Sequence, residues 1–166
     1  MGKNRKNGNR GTRPTVKKYS FVGNVRHNVF FDAIARYNQA IDAGFFVEAV
    51  ALVESLISDR MESFVNEYFE PDDYSNDKLF NLCSAIQKTK EEEIKKIADQ
   101  INNWKNQRND AIHALAKIEE TDTENPFRRK YKAAEECAKE GMVLFRKLDK
   151  AILAYRKRKN QQTPSR

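Results

Sequence analysis

Apolar residues recur along most of this chain at alternating steps of three and four, the spacing of a helix with one buried face. No alternating strand pattern and no repeat appears. Phe30, Ala33, Ile34, Tyr37 and Ile41 give a first helix one apolar side. Asn24 or Asn28 is placed to cap its start, and Gly44 to end it in the left-handed conformation. A second helix follows after a short turn. Its stripe from Phe46 through Val50, Val53, Ile57, Met61 and Phe64 to Tyr68 is wide enough for the centre of a bundle, and Pro71 ends it. So short a turn predicts that the first two helices pack antiparallel. Residues 71–77 read as a polar connection. A short third helix carries Leu79, Phe80, Leu82, Cys83 and Ile86.

The fourth helix organises the rest. Thr89 and Glu92 have the spacing of a capping box, and Glu91–Glu93 suit the positive end of a helix. The seam then runs Ile94, Ile97, Ile101, Trp104 and resumes at Ala111, Leu115, Ile118. The position expected to be apolar after Trp104 is Arg108, which is costly on a buried stripe unless something pairs with it. Residues 119–125 are a polar loop. Asn125-Pro126 is a start signal for a fifth helix, whose seam includes Tyr131, Ala134, Ala138, Gly141, Phe145, Leu148, Ile152 and Tyr155. Gly141 on that seam predicts close approach of another helix. The expected architecture is all-α, an antiparallel bundle of four long helices and one short one.

At 166 residues, 39% hydrophobic and 33% charged, the chain suits one domain with one core. No apolar run reaches the length of a membrane span, and the basic N-terminus lacks the apolar core of a secretory signal. A cytoplasmic protein with no membrane partner is the expectation. Cys83 and Cys137 lack metal-ligand spacing and read as core thiols, so no metal or cofactor is expected.

The formal charge of +7 is unevenly placed. Residues 1–20 hold Lys3, Arg5, Lys6, Arg10, Arg13, Lys17 and Lys18 and no acid, and read as a disordered basic arm. Residues 159–166 read as a basic tail, preceded by Arg156, Lys157 and Arg158. Between them, residues 21–158 form the bundle, with a mildly acidic body. Basic ends suit RNA phosphates; the alternative is a solubilising tail or an expression remnant.

His113 follows Arg108 by five residues, about 140° around an ideal helix. Asn109 shares a face with His113 and could set its tautomer, and Asp110 is a second candidate orienter. Asp59 or Arg60 of the second helix could reach such a site. Arginine grips phosphate and histidine moves protons near neutrality, which together suffice for metal-independent RNA cleavage. The competing reading is a structural Arg108 paired with a carboxylate such as Glu54 or Asp59. The chain would then be an ordinary dimeric bundle; a further alternative is a non-catalytic helical module that binds RNA or protein through the basic arms. Trp104, on the apolar stripe, reads as core rather than as a base-stacking platform, and His27 as a surface or capping residue.

Arg108-Asn109-Asp110-Ala111-Ile112-His113 resembles the R-x4-6-H motif of HEPN-domain ribonucleases, late in a long helix of a small α-bundle. The resemblance spans roughly residues 24–155, and only the six-residue motif is specific. It implies a homodimer with two motifs facing across a cleft and RNA as substrate. Arg108 and His113 would be catalytic and Asn109 supporting, in a toxin or antiphage effector. In one toxin–antitoxin subgroup a Tyr follows the His after one residue. Leu115 stands at that position, and the chain has no nucleotidyltransferase signature, so any antitoxin would be a separate protein.

Overall fold

A computed structural model describes residues 19–69, 78–113 and 126–162, with side chains from residue 28 onward except those of residues 113, 126 and 127. Five helices account for nearly all of it: α1 (Tyr19–Asp42), α2 (Phe46–Tyr68), α3 (Leu79–Gln87), α4 (Glu92–His113) and α5 (Pro126–Gln162). The described residues contain no strand. The seven cations expected in the basic arm, the 71–77 connection, the extension of α4 to Ile118 and the cap at Asn125 lie outside the described residues.

The core is the set of faces that the periodicity marks. Val50, Val53, Ile57, Met61 and Phe64 of α2 are buried against Ile94, Ile101 and Trp104 of α4 and Phe145, Leu148 and Ile152 of α5. Helix α2 sits centrally, touching all four others. Its contacts fix the directions. Arg36–Glu48 and the Arg60 guanidinium over the Phe30 ring show α1 antiparallel to α2. The Phe46–Tyr131 ring contact, Arg60–Asp149 and Arg156–Glu67 show α5 parallel to it. Helix α4 runs opposite to both.

Gly44 joins α1 to α2 as the pattern predicts. Its φ is +78°, and Phe45 N donates to Ala40 O (2.7 Å) while Gly44 N donates to Ile41 O (3.1 Å). This pair of bonds is a Schellman closure, which satisfies two carbonyls left over by the last turn of α1.

Three local expectations need correction. Helix α1 begins at Tyr19, so Asn24 and Asn28 lie inside it. Once a helix is nucleated, one Asn costs well under about 1 kcal/mol, and a capping residue type does not by itself start it. Thr89 does not cap α4. Its hydroxyl donates to Ile86 O (2.8 Å), closing the last turn of α3, and accepts from Glu91 N (3.4 Å). Glu91 takes the cap position, accepting from Lys95 N at 3.0 Å, and Glu92 pairs with Lys95. The bundle does not give way to a basic tail at residue 159. Helix α5 continues to Gln162, with Arg156 on Glu67 (2.7 Å) and Ser63 (2.8 Å), Arg158 on Glu91 (2.6 Å) and Lys159 on Glu67 (3.5 Å). Acids at the end of α2 and the start of α4 meet it there.

Candidate functional site

The site is built where α4 crosses α2 and α5 beyond Trp104. Trp104 is buried, and its indole N–H donates to Cys137 O on α5 at 2.9 Å. Gly141 lies against the same ring. A Cβ there would be 2.6 Å from Trp104 Cζ2 and 2.8 Å from Val53 Cγ1. Glycine is therefore required for three helices to meet at this level, the close approach expected from its place on the seam. The buried indole makes no platform for a base.

One turn further along α4, Arg108 leaves the seam towards α2. Its Nη2 donates to Glu54 Oε1, and its Nη1 donates to Asn109 Oδ1 at 2.7 Å. The Nε–H is enclosed and makes no hydrogen bond. The side chains of Arg108 and Glu54 keep 19% and 24% of their surface. The pair is thus well desolvated yet reachable from solvent. This is the neighbour that an arginine on an apolar stripe requires. The sequence offers Glu54 as one of two possible carboxylates; its signal is a lone acid between the buried positions Val53 and Leu56.

The other candidate residues are distributed as follows. Asn109 turns its amide oxygen to Arg108, so its observed service is to the guanidinium. His113 is the last described residue of α4, and its side chain lies outside the described residues. Asp110 lines a groove between α4 and α5. Arg60 is not brought to this place: its Nε is 2.7 Å from Asp149 Oδ1, and its guanidinium lies 4.6 Å from the Phe30 ring centre. Asp59 lines a separate apolar groove with Val29, Phe30 and Ala33, about a turn and a half from Glu54. No described helix is long and apolar enough to cross a membrane, and the described residues hold no group of three potential metal ligands.

The α4–α5 groove has a volume of about 370 Å³. Its floor is Ala111 and the buried Cys137, and its walls are Gln107 and Asp110 on one side and Lys130, Glu136 and Glu140 on the other. Cys137 is held as the thiol. Burial, reinforced by Glu140, pushes its pKa up to about 11, against smaller opposing effects of the Trp104 hydrogen bond and of Arg108. Sequence reading passes over Lys130, Glu136 and Glu140 because they occupy ordinary polar positions of an amphipathic helix.

Comparison with protein-family models, with curated proteins and with solved structures gives no match to this chain.

Proposed function

We propose that this chain is a metal-independent endoribonuclease of the HEPN type, acting as a toxin or antiphage effector. The observation that carries the reading is the setting of Arg108. Its guanidinium stands on the core seam of α4, held by Glu54 and Asn109, five residues before His113. Two N–H bonds on the terminal nitrogens are left for a phosphate once each nitrogen has made its one internal bond. Fixing the fork beforehand removes the ordering cost that a free arginine would bear on binding substrate.

In this reading, histidine in its neutral form takes the proton of a ribose 2′-OH. The 2′-oxygen attacks phosphorus, and the bond to the 5′-oxygen breaks. The departing oxygen takes a proton from a second, protonated histidine. The products are a 2′,3′-cyclic phosphate and a 5′-hydroxyl end. Arg108 stabilises the charge that builds on the non-bridging oxygens. A homodimer supplies two copies of His113 and of Arg108 to one cleft. Asn109 then has two duties in this reading, holding Arg108 through its oxygen and orienting His113 for proton transfer. The basic residues of 1–18 add sequence-independent attraction for RNA, and a separate antitoxin would restrain the activity.

A second reading has its own support. Glu54 pairs with Arg108 inside one subunit, which is what a structural arginine in a non-catalytic binding module requires. One experiment divides the two. Purified protein incubated with single-stranded RNA in EDTA should cut it, and His113→Ala and Arg108→Ala should not. Equal cutting by His113→Ala, or no cutting by the wild type, favours the binding module. Sedimentation should show a dimer at the working concentration.

A further inference from the structure

We infer that the exposed Phe80 ring, with the Lys105 ammonium over it, is a stacking platform for a base of single-stranded RNA next to the phosphate gripped by Arg108; the inference rests on the ribonuclease reading. Position is the first argument. Helix α3 runs along α4 in the opposite direction. Gln87 Nε2 donates to Lys95 O (3.2 Å) and Asp99 Oδ1 (2.8 Å), Cys83 Sγ donates to Ala98 O (3.6 Å), and Lys105 Nζ lies 4.9 Å from the Phe80 ring centre. The first turn of α3 is therefore level with Lys105. Arg108 and its partner Asn109 stand three and four residues beyond Lys105, on the same side of α4. The ring is thus offset from Arg108 by about one turn, roughly 5 Å along the helix axis, a distance that one nucleotide spans.

Chemistry is the second argument. The apolar side of α3 is complete without Phe80: Leu79, Leu82, Cys83, Ala85 and Ile86 are buried, while Phe80 keeps 56% of its surface on the outer side with Ser84 and Gln87. Burial in the bundle does not account for a phenyl ring there. An aromatic face stacks on any base, whatever the sequence. The cation over the ring is held by its quadrupole. Among the described residues Lys105 forms no ion pair with a carboxylate, so its charge is left to meet a phosphate. An aromatic face, an unmatched ammonium and the Arg108 fork in one line fit a polyanion that carries flat rings. Single-stranded RNA is that ligand, because its unpaired bases splay out onto aromatic side chains, whereas duplex bases stack on one another.

The test uses the full chain carrying His113→Ala, so that RNA stays whole, titrated by calorimetry with short single-stranded RNA, duplex RNA and inorganic polyphosphate. Adding Phe80→Ala should weaken single-stranded RNA by about tenfold, the loss expected for one stacked base. Binding of duplex RNA and of polyphosphate, which offer no free base, should not change, and the helical signal should stay the same because the ring is exposed. Phe80→Trp should restore the affinity, and its added emission should be quenched by single-stranded RNA but not by polyphosphate. Lys105→Gln should lower the slope of log affinity against log salt by about 0.7, one phosphate contact on a single strand. Single-stranded RNA that does not bind, or binds the Phe80→Ala chain as tightly as its parent, overturns the platform; so does an equal loss of polyphosphate binding. These outcomes separate from the cleavage test. Cutting that depends on His113, in a chain whose RNA affinity ignores Phe80, sinks the platform and leaves the nuclease. A Phe80-dependent affinity in a protein that cuts no RNA does the reverse and makes the platform part of a binding module.

Discussion

Arg108 on α4 and Glu54 on α2 form a partly buried ion pair that ties together helices 54 positions apart in sequence. Its strength is measurable without any assumption about function. Either single substitution to Ala strands the other charge in a site about four-fifths desolvated. Each should cost about 1–3 kcal/mol, below the range for fully buried pairs because of the remaining exposure. The double substitution should cost clearly less than the sum, with a coupling of about 1–2 kcal/mol in urea unfolding. Strictly additive losses would mean that the two side chains do not hold one another in solution.

Arg108→Lys separates charge from geometry at the same place. A lysine keeps the attraction to Glu54 but lacks the fork that serves Glu54 and Asn109 at once. Its stability should fall by less than that of Arg108→Ala. Under the ribonuclease reading its cleavage rate should still fall at least tenfold, because an ammonium cannot hold two directions and a phosphate together. Near-normal cleavage by Arg108→Lys would reduce the arginine to a point charge.

At Gly141 two opposing effects can be weighed. Alanine is worth about 1 kcal/mol more than glycine in a helix interior. Its methyl group, however, would stand 2.6 Å from the Trp104 ring and 2.8 Å from Val53, on two different helices that cannot both retreat. Overpacking of this kind costs about 1–3 kcal/mol. Gly141→Ala should therefore lower the melting temperature and shift the tryptophan emission. In a Trp104→Phe background the same substitution should cost less. A stabilised Gly141→Ala would show that α4 and α5 can part without loss.

The seams of α2, α4 and α5, the turn at Gly44 and the approach at Gly141 were all legible in the sequence. Each follows from periodicity or from the lack of a side chain, and both are local properties of the chain. Thr89 was misread because one hydroxyl had two possible clients, and the end of α3 claimed it before the start of α4. A basic tail is the natural reading of the C-terminal end, because the acids that meet it, Glu67 and Glu91, lie 92 and 67 positions from Lys159 and Arg158. Of the site, Arg108 was visible as a break in the pattern. Its partner was only one of two possible carboxylates, since helix packing decides which acid arrives. The groove was not visible at all. It is made by small residues on two helices and by polar ones that any solvent-facing surface could carry.

The two thiols make a prediction about alkaline pH whose sign follows from burial. Cys83 is buried between α3 and α4, with its Sγ 3.6 Å from Ala98 O, and Cys137 between α4 and α5. Burial pushes each from an ordinary value of 9.0 to about 11. A raised value in the folded state means that the unfolded chain loses its thiol protons first. The associated stability is complete below pH 9, and it is lost as pH rises from there to about 11. Two pKa units on one thiol correspond to about 2–3 kcal/mol. Burial also raises Tyr37 and Tyr155 above their ordinary 10.0, so part of the loss as pH approaches and passes 10 belongs to them. The cysteine contribution is isolated by comparing wild type with the double substitution Cys83→Ala, Cys137→Ala in urea at pH 8, 9, 10 and 11. The substituted protein should start less stable, since each alanine leaves a small cavity. Between pH 9 and 10 its stability should then decline clearly less than that of the wild type. An identical decline in both proteins would place the titrating groups elsewhere.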